Sequence, residues 1–244
     1  MTKEEPRSYE IKYNLIIMNI VGIVSFLIIV GILFLMFKNN ILTDKFPSTY
    51  NFSKYPISVF LIVLIFWFVL HEIIHGTFYI IGGAKKENIS YGCVLEKGLF
   101  FCKCNNNITK KNAMLSLMAP FTIIGVITLI ISFLLGDYVL LVLSVFNLEG
   151  ACADLCVFFF FLRLPNDVLF REVGDTSTFV LTTKEDLTKK KYLGIQSIRL
   201  LKEGELPPEV VKKKVDISKK SKPVIIFLII LIIFYIVLDI LKYI

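Results

Sequence analysis

The sequence predicts an all-α polytopic membrane protein, with about five transmembrane helices, a short β-hairpin after the second helix and a small cytoplasmic α+β segment. Three observations carry that expectation. Hydrophobic residues fill 56% of the 244 positions and mean hydropathy is +0.73, above the roughly 45–50% apolar usage of soluble domains. Apolar runs recur at the length of about 20 residues that a helix needs to cross a bilayer. Finally, the basic residues gather in alternate loops, which is how short cytoplasmic loops are marked.

Residues 1–12 read as a cytoplasmic amino terminus and residues 13–37 as the first span. This span is not a cleaved signal, because its apolar stretch exceeds the usual core of about 7–15 residues. Glu4, Glu5 and Glu10 precede it, and no small-residue cleavage site follows it. The second span covers 56–83 and is long enough to leave the bilayer near Gly82-Gly83. Residues 84–112 form a cytoplasmic or re-entrant loop. Two short runs within it, 89–95 and 99–104, flank Glu96-Lys97-Gly98 and predict a hairpin with glycine at the turn.

The third span is 113–135 and the fourth 138–162, the latter interrupted by Asn147, Glu149 and Asp154. Residues 163–222 are long enough for a small cytoplasmic appendage. Within it 175–181 resembles a strand, 183–193 a helix with a capping pattern at Thr183 and Asp186, and 203–222 a charged linker. The fifth span is 223–243.

With this alternation, 23 of the 27 Lys and Arg residues fall on the side that holds the amino terminus. The positive-inside bias therefore predicts a multi-pass protein of the plasma membrane with a cytoplasmic amino terminus and an outside carboxyl terminus. The net charge of +7 is read as topology. No nucleic-acid partner is expected, since the lysines flank spans and no nucleic-acid fold signature accompanies them. The five cysteines form no disulfide framework: Cys93, Cys102 and Cys104 lie in a loop on the reducing side, and Cys152 and Cys156 lie within a span.

The chemistry concentrates in His71-Glu72-Ile73-Ile74-His75, which matches H-E-x-x-H. At 100° per residue the two histidines stand 40° and one turn apart, so both imidazoles can reach one Zn2+ ion. Glu72, at the edge of that face, is placed to hold the attacking water and take its proton. These are the only two histidines in the chain, which removes multi-histidine di-iron sites from consideration. Each ionisable group inside an apolar helix costs roughly 2.5–3.5 kcal/mol by insertion scales, so an uncompensated triplet is disfavoured.

Catalytic zinc sites take three protein ligands. The third must be a carboxylate within the spans, and Glu149 and Asp154 both lie level with the histidines at about 1.5 Å per residue. On a straight helix Asn147, Gly150 and Asp154 share a stripe while Glu149 points about 140° from Asp154, so the two acids cannot both face one metal. Cys152 and Cys156 point away from that stripe.

These residues resemble the putative zincin peptidase family of small bacterial membrane proteins, which is distantly similar to site-2 proteases. The resemblance runs over about residues 68–180, through HEIIHGTFYIIGG, Tyr91-Gly92, Ala119-Pro120, the stretch from Asn147 to Asp154, and Val173-Gly174-Asp175. It implies His71, His75 and Asp154 as zinc ligands, Glu72 as general base, and Asn147 as a substrate-positioning or second-shell group. Gly150 and Leu155 depart from the site-2 pattern, where Pro and Gly are usual. The expected activity is hydrolysis of a peptide bond in a membrane-protein or peptide substrate, at or within the cytoplasmic half of the bilayer. A metal-binding membrane protein without catalysis, such as an assembly or immunity factor, would keep the ligands and dispense with Glu72. A transporter would show internal repeats, and none is present.

Overall fold

The computed structural model describes residues 5–42, 46, 57–94, 99–173, 178–189, 192, 194–202 and 205. Its helices are α1 (Leu15–Lys38), α2 (Ile57–Ile81), α3 (Lys110–Pro120), α4 (Thr128–Leu135), α5 (Tyr138–Gly150) and α6 (Cys152–Leu162). A π-helical segment, Phe121–Ile127, joins α3 to α4. Side-chain caps begin several of them. Asn14 accepts from the amides of Ile16 and Ile17 at α1, Thr109 from Asn112 at α3, and Asp137 from Leu140 at α5, each satisfying amides that have no intrahelical partner.

Among the described residues three helical stretches are long and apolar enough to cross a membrane: Leu15–Lys38, Phe60–Ile81 and Lys110–Leu135. The pair α5 and α6 makes a fourth if it counts as one span, bent by 44°. The fifth expected span, 223–243, lies outside the described residues, as do most of the 203–222 linker and the Glu96-Lys97-Gly98 turn. Of its 24 residues α1 buries only Met18 and Gly22, and Ile16 and Leu27 are exposed on its outer face. Apolar surface of that extent is what a lipid or protein partner covers.

The expectation of an all-α protein is wrong. The fold is α+β, with a five-stranded antiparallel sheet in the order β4-β5-β6-β1-β7 and a separate two-stranded hairpin. The strands are β1 (Arg7–Tyr13), β4 (Ile108–Thr109), β5 (Leu169–Glu172), β6 (Thr178–Thr183) and β7 (Ile195–Leu200), and the hairpin pairs β2 (Ile89–Val94) with β3 (Leu99–Cys104). The amino-terminal segment, read as a tail, forms β1 between β6 and β7, with Arg7 opposite Thr183 and Tyr9 opposite Leu200. Tyr9 and Ile11 alternate inward and are fully buried, the period-two pattern of a strand. Only two buried residues carry it, and β1 meets β6 some 170 positions later, so local patterning could not reveal it.

A second correction concerns 183–193. Thr183 closes β6, and a 3-10 turn (Leu187–Lys189) stands where a helix was expected. Asp186 accepts from the Thr188 amide and hydroxyl, so the capping chemistry is present but closes a turn. The sheet covers one end of the helices through an aromatic core in which Phe161 meets Phe170 and Phe179, and Phe160 meets Tyr192.

Close packing at Gly125 links the π-helical segment to α5. A Cβ there would stand 2.6 Å from Leu148 Cδ2 and 3.3 Å from Asn147 Nδ2. Gly125→Ala is expected to lower stability by about 1–3 kcal/mol through overpacking, measured as the thermal midpoint of the purified protein in detergent.

Candidate metal centre

Helix α2 carries His71 and His75 on its buried face, while Ile73, Thr77 and Ile80 of the same helix are exposed. Asp154 approaches from the first turn of α6. The bend at Ala151 modifies the expectation of a straight fourth helix, and Asn147 and Asp154 consequently address opposite nitrogens of one ring. Asn147 Oδ1 lies 2.8 Å from His71 Nδ1, and Asp154 Oδ2 lies 3.2 Å from His71 Nε2. His75 Nε2 is 3.1 Å from His71 Nε2 and 3.3 Å from the same Asp154 oxygen. One ligand atom from each of the three residues falls within 4.8 Å of the others, and among the described residues this is the one such group of His, Cys, Asp or Glu.

The hydrogen bonds behind the histidines fix their tautomers. Asn147 Nδ2 donates to the Pro120 carbonyl at 3.0 Å, so its Oδ1 faces His71 and accepts from Nδ1–H. His75 Nδ1 lies 3.0 Å from the Ser116 carbonyl, which can only accept, so that nitrogen also carries a proton. With both rings neutral, as metal ligands must be, the two Nε2 atoms present lone pairs to each other and to a carboxylate oxygen. Three lone-pair donors held 3.1–3.3 Å apart repel unless a cation lies between them. Ligand distances of about 2.0–2.2 Å in a tetrahedral zinc site space neighbouring ligands by about 3.3–3.6 Å, so the donor set fits that ion.

Ser116 is a residue the sequence reading missed. It is fully buried, donates its hydroxyl to the His75 carbonyl at 3.1 Å, and clasps α3 to α2 reciprocally. Its signal was available as one small polar residue just before Ala119-Pro120 in an apolar run. Asn147 is held by the Pro120 carbonyl at the start of the π-helical segment, a widened turn of the kind often found at functional sites. Asn147→Ala is expected to weaken zinc affinity about 10- to 100-fold, measured by competition with a chelator.

Glu72 sits beside the ligands with its carboxylate against the backbone N–H of Cys102 in β3. The hairpin docks there because Gly76 leaves room for Tyr91, whose hydroxyl oxygen would clash with a Cβ at that position. Glu149 is not in the metal group. It faces α1, where a Cβ on Gly22 would come within 3.3 Å of its Oε1. Cys102 and Cys104 are free thiols, and burial pushes the Cys102 thiol up, with Glu172 and Glu72 adding to that shift.

The segment that holds this geometry, residues 64–169, matches the family model described as Putative zincin peptidase. Over these residues the chain is similar to that family. The match contains His71, Glu72, His75, Ser116, Asn147 and Asp154, so the zinc peptidase description falls on the whole metal group. It ends before Val173-Gly174-Asp175, of which residues 174 and 175 lie outside the described residues. No curated protein and no solved structure matches the chain.

Proposed function

We propose that the chain is a site-2-protease-like metalloprotease, a zinc-dependent membrane-embedded peptidase that cuts a membrane-protein or peptide substrate at or within the cytoplasmic half of the bilayer. The observation that carries this reading is the convergence of His71 and His75, on a helix of membrane-crossing length, with Asp154 on the bent α5–α6 pair, and with Glu72 next to His71 on the same turn.

His71, His75 and Asp154 would hold the ion. When bound, zinc supplies a Lewis acid that polarises a carbonyl and lowers the pKa of a water to about 7. The chain's own groups do the rest. Asn147 and the Ser116 carbonyl keep the histidine protons on Nδ1, so the Nε2 lone pairs stay turned inward. Glu72 takes the proton of the attacking water as the new C–O bond forms, and returns it to the amine nitrogen as the C–N bond breaks. The hairpin offers the edge of β3 to a substrate unwound into a strand.

The placement in a bacterial plasma membrane with the amino terminus inside rests on the 23-residue basic bias. It gains support from the sheet, since β1 pairs with β6 and β7, and β4 with β5. Strands from before the first helix, after the hairpin and after α6 can pair only on one side of a bilayer. Reporter fusions at Asn106 and Glu203 should both report a cytoplasmic position. An external signal from either would overturn this topology.

A further inference from the structure

The two strands of the hairpin leave one edge of β3 unpaired. Asn105 N–H donates to the Asn88 carbonyl at 2.8 Å, and odd-numbered residues of β3 face β2 in the same way. In an antiparallel ladder the amides of alternate residues point to opposite edges, so Cys102 and Cys104 direct their N–H groups outward. Both amides meet carboxylates. Cys102 N–H faces Glu72, and Cys104 N–H donates to Glu172 Oε2 at 2.8 Å.

Two residues along a strand span roughly 6.6 Å, so the edge runs from the metal centre toward Glu172. There a small cavity opens, lined by Tyr13, Phe101, Glu172 and Phe179 among others. An exposed strand edge is a template for pairing with another chain, and here carboxylate oxygens stand where the carbonyl oxygens of an added strand would stand.

Resting on the peptidase reading above, we infer that Glu172 is a removable cap on the substrate edge of β3, holding the Cys104 amide until a backbone carbonyl of an extended substrate displaces it. Glu172 comes from β5, the last residue of a strand in the other sheet, so the cap also ties the hairpin to that sheet. Burial pushes the Glu172 carboxyl up to about 7, against the Cys104 N–H that lowers it. A carboxyl that ionises this close to neutral pH can take up a proton as it releases the amide, so displacement by a substrate carbonyl leaves no unpaired buried charge. Glu72 caps the neighbouring amide but belongs to the metal centre, which leaves Glu172 as the gating residue.

The test uses the full chain, zinc-loaded, in the Glu72→Gln background, so that binding is read without cleavage. The probe is a fluorescein-labelled extended peptide of alternating Thr and Val, followed by anisotropy. Glu172→Ala should tighten binding about tenfold or more, the scale of one hydrogen bond to a charged group. Glu172→Gln, whose amide oxygen still accepts from Cys104, should bind like the parent. Glu172→Asp, too short to reach, should fall on the tightened side and guards against a misfolded alanine variant. Equal affinities across the series, or no binding in any, overturn the inference. Tightening in Glu172→Ala with no cleavage by the Glu72-containing protein would sustain the cap and sink the peptidase reading instead.

Discussion

Replacing Glu72 by Gln is expected to reduce peptide-bond cleavage about 10²- to 10⁴-fold, the usual contribution of a positioned acid-base group, while leaving zinc and fold in place. The reason is geometric. Glu72 lies outside the group formed by His71, His75 and Asp154, and a glutamine can still accept from the Cys102 N–H. It cannot take a proton. The measurement compares membrane proteomes of cells that make the parent protein or Glu72→Gln, seeking fragments that end inside or just cytoplasmic of a membrane span. Zinc content by mass spectrometry of both proteins supplies the control. Fragments found equally in both, with zinc retained, would favour a metal-binding protein without catalysis.

Removal of any one ligand should be the most damaging change to the metal centre. His71→Ala, His75→Ala and Asp154→Ala are each expected to abolish stoichiometric zinc, because two donors remain where three are needed for a tight open site. Glu149→Ala should keep zinc at parent stoichiometry, since that carboxylate faces α1 and not the histidines. Equilibrium dialysis against zinc at micromolar concentration reads both outcomes. Zinc kept by Asp154→Ala and lost by Glu149→Ala would reverse the assignment of the third ligand.

Much of the site was legible because its parts are local. His71 and His75 lie four residues apart on one apolar run, and helix geometry alone brings such a pair together. Two acids within the spans lay at the right depth for the third partner and helix face favoured Asp154 over Glu149, although the straight-helix assumption behind that step does not hold at Ala151. What was not legible is the support behind the ligands. Ser116 orients His75 through its backbone carbonyl and left only the trace of one small polar residue in an apolar run, and Glu172 stood in a segment read as a separate appendage. The hairpin was readable from two short runs around a glycine, whereas β1 was hidden by charged neighbours and by partners at the far end of the chain.

By itself, the sequence determined the long apolar helices and the one helical turn that carries two imidazoles and a carboxylate, because composition and a 3.6-residue period act over short distances. Only the tertiary structure decided that the protein is α+β, that Asn147 and Asp154 grip opposite nitrogens of His71, and that two carboxylates cover the free edge of β3. Each of those depends on contacts between segments 30 to 191 residues apart, or on a bend whose angle no local propensity sets. Strand pairing and side-chain convergence gain their free energy only once the helices have brought such segments together.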